Sequence, residues 1–308
     1  MIHPLEHKAI DKAKWDATIA ECGNIYARSW YLDIVHPGWE ALVEDDYQAV
    51  MPLTGGKKFG IHYLFQPYFV QQLGVFSKSS PTPEKTVEFL DAIPKKYRFA
   101  EIRLNESNAL SNELKGIEYH RNVLLGLNQD YEMIREHYHQ NAKRNLAKAE
   151  SCNLQLVETV IPYHVVALFR DNRGASLDKW GDAEYARLTR LAQAAIDRKH
   201  AFILGVSEKG IGQLLCAAIF MKTDHRITFL FSGLTEEGKQ RQAMTYLLDQ
   251  VIKKHAQQPV TFDFEGSDDD NLARFYLGFG GTEVRYPSFT YNRLSPLGKA
   301  LLKVWKKR

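Results

Sequence analysis

The spacing of apolar residues in the first half of the chain predicts short strands that alternate with helices. Asp11 suits the N-cap of a helix extending to about Cys22, because Trp15 and Ile19 recur at the i,i+4 spacing of a buried face. The other elements predicted for this half are a strand at 2–9, a helix at 27–35, strands at 39–43 and 47–53, a turn at 54–58, strands at 61–65 and 69–76, a helix at 83–93, and strands at 98–104 and 119–127.

The second half opens with a long predicted helix at 131–151. Ile134, Tyr138, Ala142 and Ala149 follow a helical period within it. The elements predicted after it are a strand at 154–160, helices at 163–172 and 183–198, strands at 201–206, 211–221 and 226–231, a helix at 241–256, a strand at 260–265, a helix at 268–277, a strand at 282–291 and a basic helix at 296–308.

Both halves contain the same order of elements, a hairpin followed by a strand, a helix and a strand. Alternating strands and helices are typical of α/β folds. A chain of 308 residues also has the length of two ordinary domains. We therefore expect two α/β domains, residues 1–128 and 129–308, with a boundary near 128–130.

Composition narrows the class of protein. Hydrophobic residues make up 44% and charged residues 25% of the chain, as in an ordinary globular protein. The net charge of +3 creates no global field that would indicate a nucleic-acid binder. Three widely spaced cysteines, a polar N-terminus and the lack of a long apolar run lead us to expect a cytoplasmic protein without disulfides.

Three ordered segments resemble the second domain of Fem-type aminoacyltransferases. Residues 141–150 are similar to a basic helix, 262–267 (Phe-Asp-Phe-Glu-Gly-Ser) to a strand ending in aspartate and glycine, and 275–281 (Phe-Tyr-Leu-Gly-Phe-Gly-Gly) to a Phe-Lys-x-x-Phe-Gly-Gly segment. The resemblance covers roughly residues 130–291, and the first half shares only the order of elements. It implies two tandem GNAT-like domains, each a mixed, mainly antiparallel sheet flanked by helices.

The same resemblance implies transfer of an acyl or aminoacyl group to an amine. The family's best-known substrates are peptidoglycan precursors and aminoacyl-tRNA. Tyr276 stands where the family has a lysine thought to serve the tRNA-borne donor, which argues against tRNA. In acetyl-CoA-dependent GNAT enzymes, a tyrosine on the corresponding helix commonly protonates the leaving thiolate, and Tyr276 resembles that acid. The alternative is a helix tyrosine that packs by its ring.

A donor site for acyl-CoA is expected near residues 238–244. GNAT enzymes hold the CoA pyrophosphate on a glycine-rich loop at a helix N-terminus. Here Gln242 and Met244 replace the glycines, and such side chains hinder close approach of the backbone. Lys239, Arg241 and Ser232 are the candidate donor contacts. We expect no tightly bound cofactor, with acyl-CoA or aminoacyl-tRNA as co-substrate.

The chemistry of the transfer points to two carboxylates. An amine nucleophile must lose a proton, and a carboxylate can accept it through a water molecule. Asp263 and Glu265 lie two apart on a predicted strand and share a face, opposite Phe262 and Phe264. We expect Asp263 to act as the base and Glu265 to contact substrate. The alternative is a strand with one solvated face.

Further candidates for substrate contact are polar or aromatic. Arg144, Lys148 and Arg274 could bind an anionic group, or could be ordinary solvated cations. Trp30, Tyr31 and Gln71 could contact the acceptor, or could be core aromatics and a strand amide.

No metal site is expected in this chain. No HExxH motif occurs, and the acidic run 268–270 is explained as the first turn of a helix capped by Ser267. GxSxG, P-loop and GxGxxG motifs are also missing.

Three hypotheses follow. The first is an N-acyltransferase acting on a small-molecule or peptide amine, possible acceptors including a cell-wall or envelope precursor, with an acceptor groove between the domains. The second is a transferase that uses aminoacyl-tRNA. The third is a non-catalytic binding protein that kept the fold and lost the CoA site. The basic C-terminal helix either contacts an anionic membrane surface or packs on its own domain.

Overall fold

The computed structural model describes residues 1–110, 114–176, 180–266, 268–296 and 298–299. In chain order, the strands in this part of the chain are β1 (Ile2–Leu5), β2 (Glu40–Glu44), β3 (Ala49–Leu53), β4 (Gly55–Lys58), β5 (Ile61–Phe65), β6 (Phe76–Ser77), β7 (Tyr97–Arg103), β8 (Ile117–Gly126), β9 (Leu154–Val157), β10 (Ala201–Glu208), β11 (Leu214–Lys222), β12 (Arg226–Leu234), β13 (Thr261–Asp263) and β14 (Thr282–Asn292). The α-helices are α1 (Lys12–Cys22), α2 (Ser29–Val35), α3 (Pro83–Asp91), α4 (Tyr131–Glu136), α5 (Gln140–Glu150), α6 (Pro162–Asp171), α7 (Asp182–Asp197), α8 (Glu236–Gln240), α9 (Ala243–His255) and α10 (Asp270–Leu277). The predicted α/β class is confirmed.

The chain divides into two compact units. Unit 1 comprises residues 1–120 and the described residues from 285 onward, and unit 2 comprises 121–284. The sequence predicts one boundary at 128–130, whereas the observed divisions fall inside β8 and β14. The reason is the pairing of β14, whose residues Ser288 to Asn292 lie antiparallel to β7. The order of elements along the chain does not show that β14, near the end of the chain, pairs with a strand of unit 1.

Unit 1 contains two groups of paired strands. One has the order β1-β2-β3-β6 and is antiparallel, and the other has the order β4-β5-β7-β14 with a parallel pair between β5 and β7. The predicted cap of α1 is confirmed, because the Asp11 carboxylate accepts from the N–H groups of Ala13 and Lys14. Trp15 and Ile19 are fully buried, as their spacing predicts.

Two predictions for unit 1 are wrong. Residues 54–58 are not a turn, because Gly55 to Lys58 form β4 and pair with β5. The turn comes later, at Phe59 and Gly60, where both residues have positive φ. The predicted strand at 69–76 is reduced to β6 and an isolated bridge between Leu73 and Leu104. Two glycines beside two lysines indicated a turn although the backbone there extends into an edge strand.

Unit 2 is built on strands in the order β8-β13-β12-β11-β10-β9. Neighbours are antiparallel except for β12 and β13, which are parallel and are joined through α8 and α9. Its apolar core includes Leu146 of α5, Phe220 of β11, Leu247 of α9, Phe264 and Phe279. Helix α9 therefore packs into the same core as α5 and β11.

The predicted helix at 131–151 is broken into α4 and α5. His139 has an extended backbone, with φ −64° and ψ 155°, and its N–H donates to the Gly278 carbonyl at 2.9 Å. A backbone contact with a distant segment therefore overrides the helical period.

Helix α10 begins later than predicted. Its N-cap is Asp269, which accepts from the N–H groups of Asn271 and Leu272. The predicted cap, Ser267, lies outside the described residues, as does most of the predicted helix at 296–308. Among the described residues, none of the helices combines the length and the apolar character needed to cross a bilayer.

Candidate active site

Unit 2 contains an opening where its two parallel strands separate. β12 and β13 pair at Arg226–Thr261, Ile227–Phe262 and Thr228–Asp263. β13 ends there, whereas β12 continues to Leu234. Among the described residues, no further pairs join these two strands, so the edge of β12 beyond Thr228 faces an open space.

This space is a cavity of about 980 Å³. Typical small-molecule sites have volumes of about 300–1,000 Å³. The apolar side chains that line it are Phe169, Phe229, Leu230, Phe231, Leu234, Met244, Phe264, Leu272 and Phe275. The remaining lining residues are Asn172, Arg173, Ser232, Glu236, Gly238, Lys239, Gln242, Thr245, Glu265 and Tyr276. The cavity therefore combines an aromatic wall with a limited set of polar groups.

Tyr276 lies on α10 and is 6% exposed. Its ring stacks on Phe264 at a centroid distance of 5.2 Å and meets Phe229 edge-on at 6.2 Å. In the described part of the chain, no hydrogen bond to its hydroxyl is found. Burial raises the pKa of Tyr276, the nearby Glu265 carboxylate raises it further, and Arg173 lowers it. The hydroxyl is therefore protonated at neutral pH.

Glu265 lies in the turn that follows β13. Its φ is 51°, which is unfavourable for a residue other than glycine, and its N–H donates to the Asp263 carboxylate at 2.8 Å. The next residue, Gly266, packs so closely on β8 that a Cβ would lie 2.5 Å from Asn122 Cα. The Gly266 N–H donates to the Asn122 side chain at 2.7 Å. These contacts fix the turn that carries Glu265 to the cavity.

Asp263 does not line the cavity. It is 1% exposed, and its Oδ2 accepts from the Arg226 guanidinium at 2.9 Å. The predicted role as catalytic base is therefore not supported by its position. The predicted common face of Asp263 and Glu265 is wrong, because the strand ends at Asp263 and the positive φ of Glu265 breaks the alternation.

The start of α9 forms another wall. Gln242 has a φ of 56°, the left-handed conformation in which glycine is favoured. Its side chain folds back locally, since Nε2 donates to the Lys239 carbonyl at 3.1 Å and Oε1 accepts from the Thr245 hydroxyl at 3.3 Å. The glycine-like backbone is thus retained at this position, and the amide is hydrogen-bonded to residues three positions away on either side.

The three predicted donor contacts are placed differently. Ser232 and Lys239 line the cavity, and Lys239 forms an ion pair with Glu236 at 2.8 Å. Arg241 is not part of the lining. Its guanidinium binds Glu208 at 2.5 Å and Glu237 at 2.8 Å.

The other predicted contacts are not among the residues that line this cavity. In unit 2, Arg144, Lys148 and Arg274 are exposed on α5 and α10. In unit 1, Tyr31 is fully buried with its hydroxyl donating to the Phe69 carbonyl, and Trp30 packs beside it at 5.5 Å. Gln71 is 9% exposed and its Oε1 accepts from Gln72 Nε2 at 2.8 Å. Burial contradicts acceptor contact by Tyr31 and favours the core-aromatic alternative.

Sequence reasoning did not identify the aromatic wall. Phe169 and Phe231 contact each other at 4.6 Å, although they lie on α6 and β12. Phe275 and Arg173 also line the cavity and were not predicted to do so. Apolar residues at these positions give the same sequence pattern whether they fill a core or surround an opening, so no signal separated the two.

The fold matches those of several solved structures, one of them a tandem GNAT protein. FemX aligns with a TM-score of 0.65 and 11% identity, covering 97% of this chain and 99% of that one. L-PGS from Bacillus licheniformis gives 0.55 and 12%, covering 96% of each chain. A tandem GNAT protein from the clavulanic acid biosynthesis pathway gives 0.54 and 12%, covering 96% and 99%. No protein-family model and no curated protein matches the sequence. The tandem GNAT fold implied by the Fem-type resemblance is confirmed, and at these identities the likeness establishes the fold alone.

Proposed function

We propose that this chain is an N-acyltransferase whose reacting centre lies in the cavity of unit 2. The observation that carries the proposal is the separation of β12 from β13, because it opens a cavity lined by both Tyr276 and Glu265. A transferase needs room for a donor and an amine, a proton acceptor and a hydrogen-bond donor for the leaving atom. The fold shared with FemX and a tandem GNAT protein supports the same chemistry.

The transfer needs two proton movements. The amine nitrogen attacks the acyl carbonyl carbon, an amide C–N bond forms, and the C–S or C–O bond of the donor breaks. The Glu265 carboxylate accepts the proton lost by the amine, directly or through water. The leaving sulfur or oxygen accepts a proton from the Tyr276 hydroxyl, which recovers it from solvent. We therefore propose Glu265, which lines the cavity, rather than the buried Asp263 as the base.

The carbonyl oxygen gains negative charge during the attack and needs a fixed donor. β12 contains a bulge, since Phe229 pairs with Phe220 and Phe231 pairs with Ile219, which leaves Leu230 as the additional residue. A bulge removes a residue from the regular ladder. Leu230 also lines the cavity, so its N–H is our candidate for the oxyanion contact.

The donor is proposed by class only, as a thioester such as acyl-CoA or an ester such as aminoacyl-tRNA. Lys239 and Ser232 are the cavity residues proposed to contact it. The acceptor is an amine on a small molecule or peptide, an envelope precursor being one option. A non-catalytic binding protein is the competing function. Gln242 favours it, because a side chain at the start of α9 hinders close approach of a pyrophosphate to the backbone.

Turnover with a panel of acyl-CoAs and aminoacyl esters tests the proposal. We expect Tyr276→Phe and Glu265→Gln each to lower turnover about 100-fold, the usual contribution of a general acid or base. Tyr246→Phe is the matched control, because Tyr246 is a half-buried helix tyrosine outside the cavity lining. If the chain binds an amine or acyl compound in thermal-shift measurements and no donor is turned over, the binding-protein function replaces this one.

A further inference from the structure

One end of a group of strands in unit 1 collects basic residues from separate parts of the chain. The β4–β5 hairpin turns there, since Lys58 pairs with Ile61. β7 begins at the same end, because His62 of β5 lies beside Tyr97 in a parallel pair. β14 finishes there as well, with Asn292 opposite Phe99. Arg98 and Arg293, which are hydrogen-bonded at this end, are 195 positions apart in sequence.

We name this surface the basic rim. Its members are Lys57, Lys58 and Phe59 of the hairpin, Lys95, Lys96 and Arg98 around the start of β7, and Arg293 after β14. The pairing of β14 with β7 continues to Arg293. The Arg293 N–H donates to the Arg98 carbonyl at 2.8 Å, and the Arg98 guanidinium donates to the Arg293 carbonyl at 2.9 Å. The rim therefore holds six cations on adjoining strand ends.

The charge of the rim is only partly neutralised. Glu40 binds Lys96 at 2.6 Å and accepts from the Tyr97 hydroxyl at 3.1 Å. Lys57 and Lys95 form no ion pair with any described residue and are exposed. The rim thus has an excess of positive charge that an anionic surface would complement.

Phe59 distinguishes this surface from an ordinary basic strand edge. The lysines by themselves would need no further explanation, because charged side chains keep an exposed edge strand from pairing with another chain. Phe59, however, is 74% exposed at the tip of the hairpin, with a φ of 51° that is unfavourable for a bulky side chain. Asparagine would suit this turn position better. An exposed aromatic ring in a strained turn adds nothing to the core, and it suits insertion into an apolar phase between flanking cations.

We propose that the basic rim binds the surface of an anionic lipid bilayer. Phe59 enters the boundary between head groups and acyl chains, and the surrounding cations contact head-group phosphates. A bilayer is favoured over a nucleic acid because the hairpin carries its aromatic ring at the tip, beyond the lysines. The proposal does not depend on the acyltransferase function, which concerns a cavity in the other unit.

Vesicle co-sedimentation of the full chain tests it, using phosphatidylcholine vesicles with and without phosphatidylglycerol. We expect binding only to the anionic vesicles and weakening at high salt. Lys57→Gln with Lys58→Gln should lower the partition constant roughly 25-fold, about fivefold for each lysine near the surface. Phe59→Asn should lower it about tenfold, from the lost burial of the ring. Because asparagine is favoured at this turn, Phe59→Asn should keep or raise the Tm.

Matched controls separate this surface from general stickiness. Lys253→Gln with Lys254→Gln removes an adjacent lysine pair in unit 2, and Tyr163→Ser removes another exposed aromatic residue, 64% exposed. Both should bind vesicles like the wild type. Equal vesicle binding by wild type and rim variants would overturn the proposal. So would loss of RNA binding in the rim variants with vesicle binding unchanged, which would identify the surface as a nucleic-acid site.

Discussion

Each unit contains a pair of neighbouring parallel strands, and the two pairs end differently. In unit 1, β5 and β7 pair from His62 to Phe65, and the following chain stays beside β7. Gln66 accepts from the Arg103 N–H at 3.1 Å, and the Leu73 N–H donates to the Arg103 carbonyl at 2.9 Å. In unit 2, β12 and β13 separate after Thr228 and Asp263.

The difference extends to the tyrosines. The Tyr31 hydroxyl in unit 1 is bonded to the Phe69 carbonyl, whereas no partner for the Tyr276 hydroxyl is found among the described residues. Buried polar groups are usually satisfied, so an unbonded hydroxyl at a cavity wall is a group available to a ligand. The same parallel pair of strands is therefore continued by neighbouring chain in unit 1 and opens into a cavity in unit 2.

The largest effect is expected from Asp263→Ala. It leaves the Arg226 charge without its buried partner, and we expect the free energy of unfolding to fall by about 3 kcal/mol. Urea denaturation measures it. Asp224→Ala, which removes an exposed carboxylate next to β12, is the control and should change stability by less than about 0.5 kcal/mol.

Asp263→Asn separates a role in holding the turn at Glu265 from a role as catalytic base. The asparagine retains an oxygen that can accept from the Glu265 N–H, so the turn beside the cavity is kept. We expect turnover close to that of the wild type. A stable Asp263→Asn protein with turnover reduced about 100-fold would restore Asp263 as the base, and the contrast between a buried support and a cavity carboxylate would be lost.

Removing either tyrosine hydroxyl is expected to change the free energy of unfolding less than Asp263→Ala does. Tyr31→Phe removes the hydrogen bond to the Phe69 carbonyl, and we expect a loss of about 1 kcal/mol in unfolding free energy. Tyr276→Phe removes no hydrogen bond seen in the described residues, so stability should stay within about 0.5 kcal/mol. Denaturation midpoints at constant m-value report both changes. A Tyr276→Phe loss as large as that of Tyr31→Phe would show that its hydroxyl is structural.

Local physical rules predicted much of the fold. The Asp11 cap and the burial of Trp15 and Ile19 follow from side chains a few residues apart, and the structure confirms them. The Tyr276 helix and the strand carrying Asp263 were also predicted. Such features depend on short-range contacts, which a single sequence displays directly.

Long-range contacts account for what could not be predicted. The break at His139 depends on the carbonyl of Gly278, and the turn at Glu265 depends on Asn122 of another strand. That turn decides which carboxylate reaches the cavity. The sequence placed Asp263 and Glu265 on one face, but alternation holds only while the strand continues, and it ends at Asp263.

The smallest effect is expected at a buried polar cluster in unit 2, whose members are hydrogen-bonded to one another, unlike the Tyr276 hydroxyl. Asp249 of α9 is fully buried and accepts from the hydroxyls of Tyr131 at 2.8 Å and Tyr138 at 3.2 Å. Burial raises the pKa of Asp249, and the two tyrosine hydrogen bonds partly oppose that rise. Asn at this position keeps the oxygen acceptor and removes the charge.

A folded-state pKa above the unfolded value of about 3.9 means that the folded chain holds this proton more tightly. The stability this contributes is fully present below that unfolded value and is lost as pH rises through the folded pKa. Asp249→Asn should therefore gain stability relative to the wild type as pH rises from 4 to 7, measured by urea denaturation at each pH. Asp171→Asn, which changes an exposed carboxylate at the end of α6, should show no such trend. If the difference in unfolding free energy between Asp249→Asn and the wild type did not change with pH, the buried carboxylate would be as well stabilised as in water. The contrast between satisfied and open polar groups in unit 2 would then depend on Tyr276 alone.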